Sequence, residues 1–378
     1  MKVGIDARFL GPEGTGIGRY VEKLLDELQL IDKENQYVVF LRKSNYHLFQ
    51  PKNQNFSKTL SDARWYSLKE QMVMPFKIQQ AKVDLMHFPH FNIPVFWPGP
   101  FIVTIHDLIK SEFSGASSTT RVLPIYYFKH LVYANVMSQA VRRSKKIIVP
   151  TQFTKQKLID KLDVPAEKIA VTYEAADQNF FEWGKKQISD GKIKQILCKY
   201  GLSKPYLIYV GNAYPYKNID RLLEAMKLMN PNIKLINPCT RSAFYDRLGD
   251  KVRQLGLQNR VVLPGFVPDE ELAVLYRAAE VYVFPSLSEG FGIPMLEAFA
   301  SGLPVAASNA SPLLEVGGKA AVYFDPYSPS DMAKKIEEVA TNREMRRELI
   351  KKGFERAAEF SWRRTAEETL KVYKNALI

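Results

Sequence analysis

Short apolar runs recur along this chain with helical patterns between them, and that alternation constrains the fold more than any other feature. The first half carries KVGID (2–6), YVVFL (37–41), VDLMHF (83–88), FIVTIH (101–106) and KIIVP (146–150). The second half carries YLIYVG (206–211), IKLIN (233–237), VVLPG (261–265), VYVFP (281–285), LPVAAS (303–308) and AAVYF (320–324). Helical patterns lie between them, for example over 17–29, 218–229, 241–255 and 269–279. Strand and helix taking turns in this way argue for a parallel α/β architecture.

At 378 residues the chain is too long for one ordinary core, so two domains are expected. Composition shifts at EAADQNFFEWGKKQISDGKIKQ (174–195), a polar stretch without strand periodicity, and the linker is placed there. The domains expected are 1–180 and 181–360. From about Asp331 the pattern is one of successive helices, and SWRRTAEETLKVYKNAL (361–377) starts on a Ser cap.

No stretch is apolar for long enough to span a bilayer, and the start MKVGIDARFL lacks the parts of a signal peptide. Two well-separated cysteines, Cys198 and Cys239, fit a reducing cytosol rather than a structural disulfide. The formal charge of +13 fits a solvated lysine-rich surface, an anionic membrane surface, nucleic acid, or a polyanionic ligand such as a nucleotide diphosphate. Charge does not choose among these, but the basic residues are dispersed and no nucleic-acid-binding motif is present, so nucleic acid is not an expected partner.

SEGFGIPMLEAFASG (288–302) follows a strand and sets Glu289 ahead of a glycine-rich turn and Glu297 beyond it. Pro294 favours the first turn of a helix, so a helix is expected from about Pro294 to Ser301, ending at Gly302. EGFG then feeds a helix N-terminus whose free N–H groups suit an anion, and diphosphate is the natural tenant. Glu297, in the first turn, either complements the helix dipole or accepts from the neighbouring hydroxyls of a ribose. Glu289 suits the hydroxyls of a second sugar, and a diphosphate between two sugars is a nucleotide-sugar.

These residues resemble glycosyltransferase family 4, the retaining transferases of the GT-B fold. Glu289 and Glu297 form its E-x7-E pattern, and PSLSEGFGIPMLEAFASGLPVAAS (285–308) is similar to its signature almost throughout. The resemblance implies two Rossmann-like domains facing a deep cleft, with the last helix, 361–378, crossing back to the N-terminal domain. It also implies a donor site of Gly290, Phe291, Gly292, Met295, Leu296 and Glu297, with Glu289 on the transferred sugar. GPEGTGIGRY (11–20) is either a tight strand–helix turn or, as in the family, a loop toward the donor phosphates, with Gly16 the best match. It is a poor dinucleotide fingerprint, because Val21 stands where a small residue is needed.

In VTIHDL (103–108), His106 is the family's contact to the donor sugar and Asp107 either orients that imidazole or approaches the acceptor. YVGNAYPYKNIDRLLEAM (209–226) resembles the segment whose lysine, here Lys217, clamps the diphosphate with an arginine. The usual arginine positions hold Asn212 and Tyr216, and Arg241 is the candidate substitute. In LPGFVPDEEL (263–272), Gly265, Phe266 and Val267 lie near the base in relatives, or form a plain turn capped by Asp269. The catalytic set implied is His106, Glu289 and Lys217.

D-x-D occurs nowhere, which agrees with transfer that needs no metal, and no cofactor is expected. The sequence offers no nucleophile–base pair for a covalent intermediate. LKEQMVMPFKIQQAK (68–82) and LPIYYFKHLVYANVMSQAVRRSKK (123–146) mix aromatics and methionines with basic residues, as a core-packing helix or an interfacial one does. With the resemblance, the expected protein is cytoplasmic and peripheral at the inner face of the plasma membrane. Its partners are a nucleotide-sugar donor and a glycan or polyprenyl-linked saccharide acceptor. The donor expected is GDP-mannose, because GIDARFLGPEGTGIGRYVEKLL and PHFNIPVFWPGPFIVTIHDLI look most like mannosyltransferases of surface-polysaccharide assembly. A UDP-sugar donor, a sugar-nucleotide epimerase of the same fold and a basic nucleic-acid-binding protein are the alternatives.

Overall fold

A computed structural model describes residues 1–113, 123–185, 188–239 and 242–377. The chain divides into two compact units: Met1–Ser111, Arg121–Glu174 and Ser361–Ile378 form the first, and Glu112–Thr120 with Ala175–Phe360 the second. Each is built on a parallel sheet, as a strand–helix alternation requires.

In unit 1 the strands are β1 (Lys2–Asp6), β2 (Gln36–Leu41), β3 (Phe56–Leu60), β4 (Leu85–Phe88), β5 (Phe101–Thr104), β6 (Ile147–Val149) and β7 (Ile169–Val171), in the order β3-β2-β1-β4-β5-β6-β7. In unit 2 they are β8 (Tyr206–Ile208), β9 (Lys234–Pro238), β10 (Val261–Gly265), β11 (Val281–Phe284), β12 (Val305–Ser308) and β13 (Ala321–Phe324), in the order β10-β9-β8-β11-β12-β13. β4, β5, β6, β8, β11 and β12 are buried along their whole length, which is why they stand out as unbroken apolar runs. In each sheet the chain reverses its direction of travel once, at β1/β4 and at β8/β11. Loops leaving the carboxyl ends of the strands beside such a reversal bracket a crevice, the place where open α/β sheets bind ligands.

Three expectations are corrected. The polar stretch taken for a linker is two helices, Gln178–Lys185 and Asp190–Lys199, both packed into unit 2. Gly184 lets the first lie directly on the chain at Ala300, whose carbonyl oxygen would stand 2.2 Å from a Cβ there. The chain leaves unit 1 between Glu174 and Ala175, at the first residues of that stretch. The helix Asp269–Ala278 has Pro268, not Asp269, at its N-cap. The helix Ile293–Ala300 has Ser301 as its C-cap and Gly302 next, at φ +70°, as expected of a glycine just past a helix end, but it starts one residue earlier than expected. Glu297 is therefore the fifth helical residue, beyond the first turn where the dipole argument applies.

The last helix, Trp362–Ala376, is capped by the Ser361 hydroxyl, which accepts from the Arg364 amide, and it packs on the helix Thr15–Ile31 within unit 1. Among the described residues no helix is long and apolar enough to cross a membrane.

Candidate active site

In unit 2 the β8/β11 reversal brings two loops together. After β8 the chain makes a short turn, Pro215–Lys217, before the helix Ile219–Leu228. After β11 it runs through 285–292 into the helix Ile293–Ala300. Main-chain and side-chain bonds hold the loops in register: the Leu287 amide donates to the Tyr216 carbonyl at 2.8 Å, and the Asn218 amide donates to the carbonyls of Pro285 (3.0 Å) and Pro326 (2.8 Å). Asn218 is buried and left-handed, with φ 60°, a conformation that asparagine tolerates better than most residues.

This clasp delivers Lys217 to Glu289. The ammonium donates to Oε1 at 2.7 Å, with the two side chains 14% and 10% exposed. The ammonium also lies 5.2 Å from the Tyr216 ring centre and 6.0 Å from that of Phe284. Glu297 is buried on the following helix. Burial first, then the charges of Glu297 and Glu289, push the hydroxyl of Tyr282 on β11 well above the usual tyrosine range. Both acids thus bear on one phenol within β11.

The other expected donor residues differ in what they present. Phe291 is buried edge-on against Phe360, and Met295 and Leu296 are wholly buried, so their side chains belong to the core. The Met295 amide donates to the Gly292 carbonyl at 2.9 Å. Any contact from 291–296 to a ligand is then a matter of main chain, shaped by Gly292, whose φ is +109° and where a Cβ would fall 2.9 Å from Leu313. Asn212 holds a buried amide oxygen without a hydrogen-bond partner among the described residues. At the end of β10, Gly265 has φ +80° and Val267 is buried, while Phe266 stands 72% exposed with its ring outward. Arg241 lies outside the described residues.

In unit 1 the four glycines of the loop after β1 separate cleanly. Gly11 has φ +96°, and a Cβ at Gly14 or Gly18 would strike the carbonyl of Phe9 (1.9 Å) or Gly11 (2.3 Å). Gly16 alone meets nothing within 4 Å, and it lies exposed in the first turn of the helix Thr15–Ile31. Packing explains three of these glycines and leaves open space only beside Gly16.

His106, just past β5, is clamped. Nδ1 lies 2.9 Å from Glu174 Oε1 and Nε2 3.0 Å from the Pro89 carbonyl, with the Tyr20 ring edge-on at 4.8 Å. Burial opposes a charge on the ring, but the Glu174 carboxylate and the Pro89 carbonyl together hold its pKa above the ordinary histidine value. Glu174, not Asp107, therefore orients the imidazole. Asp107 turns its carboxylate to the Ile109 amide at 3.0 Å. Behind this pair His87 bridges Tyr373 and Thr104, at 2.8 Å each, and its pKa is pushed down to about 3 by burial and by His106.

Sequence reasoning missed a buried ionic knot at the β1/β4 reversal. Arg8 reaches Asp6 at 2.7 Å and Glu70 at 2.5 Å, and the Asn92 amide donates to Glu70 at 2.6 Å. It ties both reversal loops to the helix Leu68–Ala81. The local trace it leaves is a charged pair at the end of an apolar strand, Asp6 and Arg8 in IDARF.

Two family models match the chain: Glycosyltransferase Family 4 over residues 14–180, and Glycosyl transferases group 1 over residues 198–356. O-antigen chain mannosyltransferase B of Escherichia coli is 27% identical over 381 residues, 95% of this chain and 96% of that one. O-antigen chain mannosyltransferase RfbU of Salmonella typhimurium is 28% identical over 84% of this chain and 85% of its own. The crystal structure of Anabaena HepE in complex with UDP and glucose has the same fold, with a TM-score of 0.75 over 99% of both chains at 17% identity.

Proposed function

We infer that this chain, which belongs to glycosyltransferase family 4 and carries the two Rossmann-like domains of the GT-B fold, transfers mannose from GDP-mannose to a growing glycan. Sugar transfer is the activity of the family. Mannose is favoured by the names of the E. coli and Salmonella relatives, and GDP is the nucleotide that goes with that reading.

The observation that carries the site is the Lys217–Glu289 contact at the β8/β11 reversal. In this reading Lys217 turns to the donor diphosphate and stabilises the charge that builds as the nucleotide departs. Glu289 takes hydroxyls of the transferred sugar, Glu297 those of the ribose, and Phe266 lies by the base. Asn212, Gly265 and Val267 complete the donor side, with Arg241 the added cation. Gly16 lets the phosphates approach, His106 meets the sugar, and Asp107 faces the acceptor.

The acceptor hydroxyl attacks the anomeric carbon on the face that the phosphate leaves, so configuration is retained. The bond to the phosphate oxygen breaks as the new glycosidic bond forms, and the departing diphosphate takes the proton. The absence of a D-x-D sequence supports a transfer in which Lys217, not a divalent ion, meets the diphosphate.

The acceptor proposed is a glycan or polyprenyl-linked saccharide, reached by attachment to the cytoplasmic face of an anionic membrane. Exposed Leu68, Met72 and Phe76 support this: they recur every fourth residue on the helix Leu68–Ala81, opposite the buried Glu70, Met74 and Ile78. Exposed Tyr127 and Leu131 repeat the spacing on the helix Leu123–Arg143.

Thermal-shift titration with GDP, GDP-mannose, UDP and UDP-glucose tests the donor, since a ligand that binds the native state raises stability by mass action. Stabilisation by the guanosine pair alone is expected. Stabilisation by the uridine pair alone would move the donor to a UDP-sugar.

A further inference from the structure

We propose that Glu174 is a positioning residue for His106, fixing the ring as an imidazolium whose two N–H groups are both held within the protein, so that what it offers a substrate is positive charge and never a basic lone pair. The inference rests on the reading of His106 as a residue that meets the transferred sugar.

The geometry leaves little freedom. A carbonyl oxygen only accepts, so the Pro89 contact at 3.0 Å places a proton on Nε2. A neutral ring would then turn the lone pair of Nδ1 toward Glu174 Oε1, 2.9 Å away, which repels unless one of the two atoms is protonated. A proton on Nδ1 makes both contacts hydrogen bonds and forms a buried ion pair, with 13% of the histidine and 7% of the glutamate side chain exposed. The surrounding charges agree: Asp107 adds a second negative group, His87 stays neutral, and Tyr20 contributes a buried, protonated phenol. A histidine held in this way cannot take a proton from an acceptor hydroxyl. With both N–H groups engaged by Glu174 and Pro89, what it can supply is a fixed positive charge.

The carboxylate comes from an unusual place. Glu174 is the last residue of unit 1 before the chain enters unit 2. The carbonyl of its neighbour Tyr173 accepts from the Thr365 hydroxyl at 2.5 Å, four residues past the point where the chain returns. The group that fixes His106 is thus anchored where the chain passes into unit 2 after Glu174 and comes back at Ser361.

The test compares the full-length wild type with Glu174→Gln, Glu174→Asp and Thr365→Val. The His106 titration is followed by NMR of the labelled imidazole, and GDP release from GDP-mannose is followed from pH 5.5 to 9.5. Glu174→Gln should lower the His106 midpoint by one unit or more, since an opposite charge in contact contributes about 1–3 units. The alkaline limb of kcat should move down with it, and Glu174→Asp should restore part of the shift. Thr365→Val, which changes the anchor but no charge, should lower the thermal midpoint and leave the limb in place. An unmoved His106 midpoint in Glu174→Gln overturns the pairing, and a moved midpoint with an unmoved limb overturns the role in transfer. Failure of the donor reading is distinguishable, because wild type then releases no GDP, and the same pH series on UDP-glucose decides the inference.

Discussion

Replacing Lys217 by Met and Glu289 by Gln, singly and together, separates the two jobs assigned to the pair. In the free protein the ammonium and carboxylate satisfy each other at 2.7 Å with little solvent around them. Removing one partner of a buried pair strands the other charge, at a cost of about 3–5 kcal/mol when burial is complete. With 14% and 10% of the side chains exposed, the expected loss for each single variant is smaller, ~2–3 kcal/mol. The double variant should lose less than the sum of the singles, which a mutant cycle in unfolding free energy reads directly.

Binding should split the other way. A hydrogen bond from Lys217 to a phosphate is charge-assisted and worth about 1.5–3 kcal/mol, so Lys217→Met should raise the Kd for GDP roughly 10- to 150-fold. Glu289→Gln removes the carboxylate that competes with that phosphate for Lys217, so its Kd for GDP should stay level or fall. Both variants should nevertheless turn over GDP-mannose at least tenfold more slowly, a barrier increase of about 1.4 kcal/mol or more. Calorimetric titration with GDP and single-turnover assays supply the two numbers. Equal loss of GDP affinity in the two variants would refute the reasoning, because Glu289 would then be a nucleotide ligand and not a sugar ligand.

Three further outcomes are expected. Asn218→Ala removes donors to two buried carbonyls and should cost unit 2 about 2–3 kcal/mol by denaturant unfolding, with a proportionate loss of donor binding as the loops part. Substituting Ser for Leu68, Met72 and Phe76 together should weaken co-sedimentation with phosphatidylglycerol vesicles about 100-fold, at ~1 kcal/mol per side chain, while transfer to a water-soluble acceptor persists. His106 has a folded pKa above its unfolded value, so its pairing with Glu174 stabilises unit 1 fully below about pH 6.5 and is lost as pH rises through the folded value. The thermal midpoint should fall more between pH 6 and pH 9 in wild type than in Glu174→Gln.

Much of this fold is legible in order of residues because burial leaves a local trace. β8 and β11 lie inside a sheet covered on both faces, so they read as apolar runs without any knowledge of their neighbours. β3 ends its sheet, and FSKTL buries only Phe56, so nothing in its pattern announces a strand. The helices within 178–199 are as hard to see, because their fit depends on where Phe180 meets Tyr276 and Gly184 meets Ala300.

The same division runs through the site. Glu289, Glu297 and Lys217 stand out because their neighbours are glycine, proline and a strand end, all of which constrain the backbone locally. What each touches is a different matter. Lys217 meets Glu289 across 72 residues, His106 meets Glu174 across 68, and Asn218 clasps carbonyls 67 and 108 residues away. No local pattern encodes those distances.

By itself, then, the sequence determined most of the elements and the two-sheet architecture, and it singled out the candidate groups of the site, because backbone preference and the period of burial act over a few residues. Only the tertiary structure decided that Lys217 and Glu289 pair, that Glu174 rather than Asp107 holds His106, and that Phe291, Met295 and Leu296 are core. Those outcomes depend on strand order, which brings loops distant in the chain to one edge of a sheet, where contact and not sequence spacing sets the chemistry.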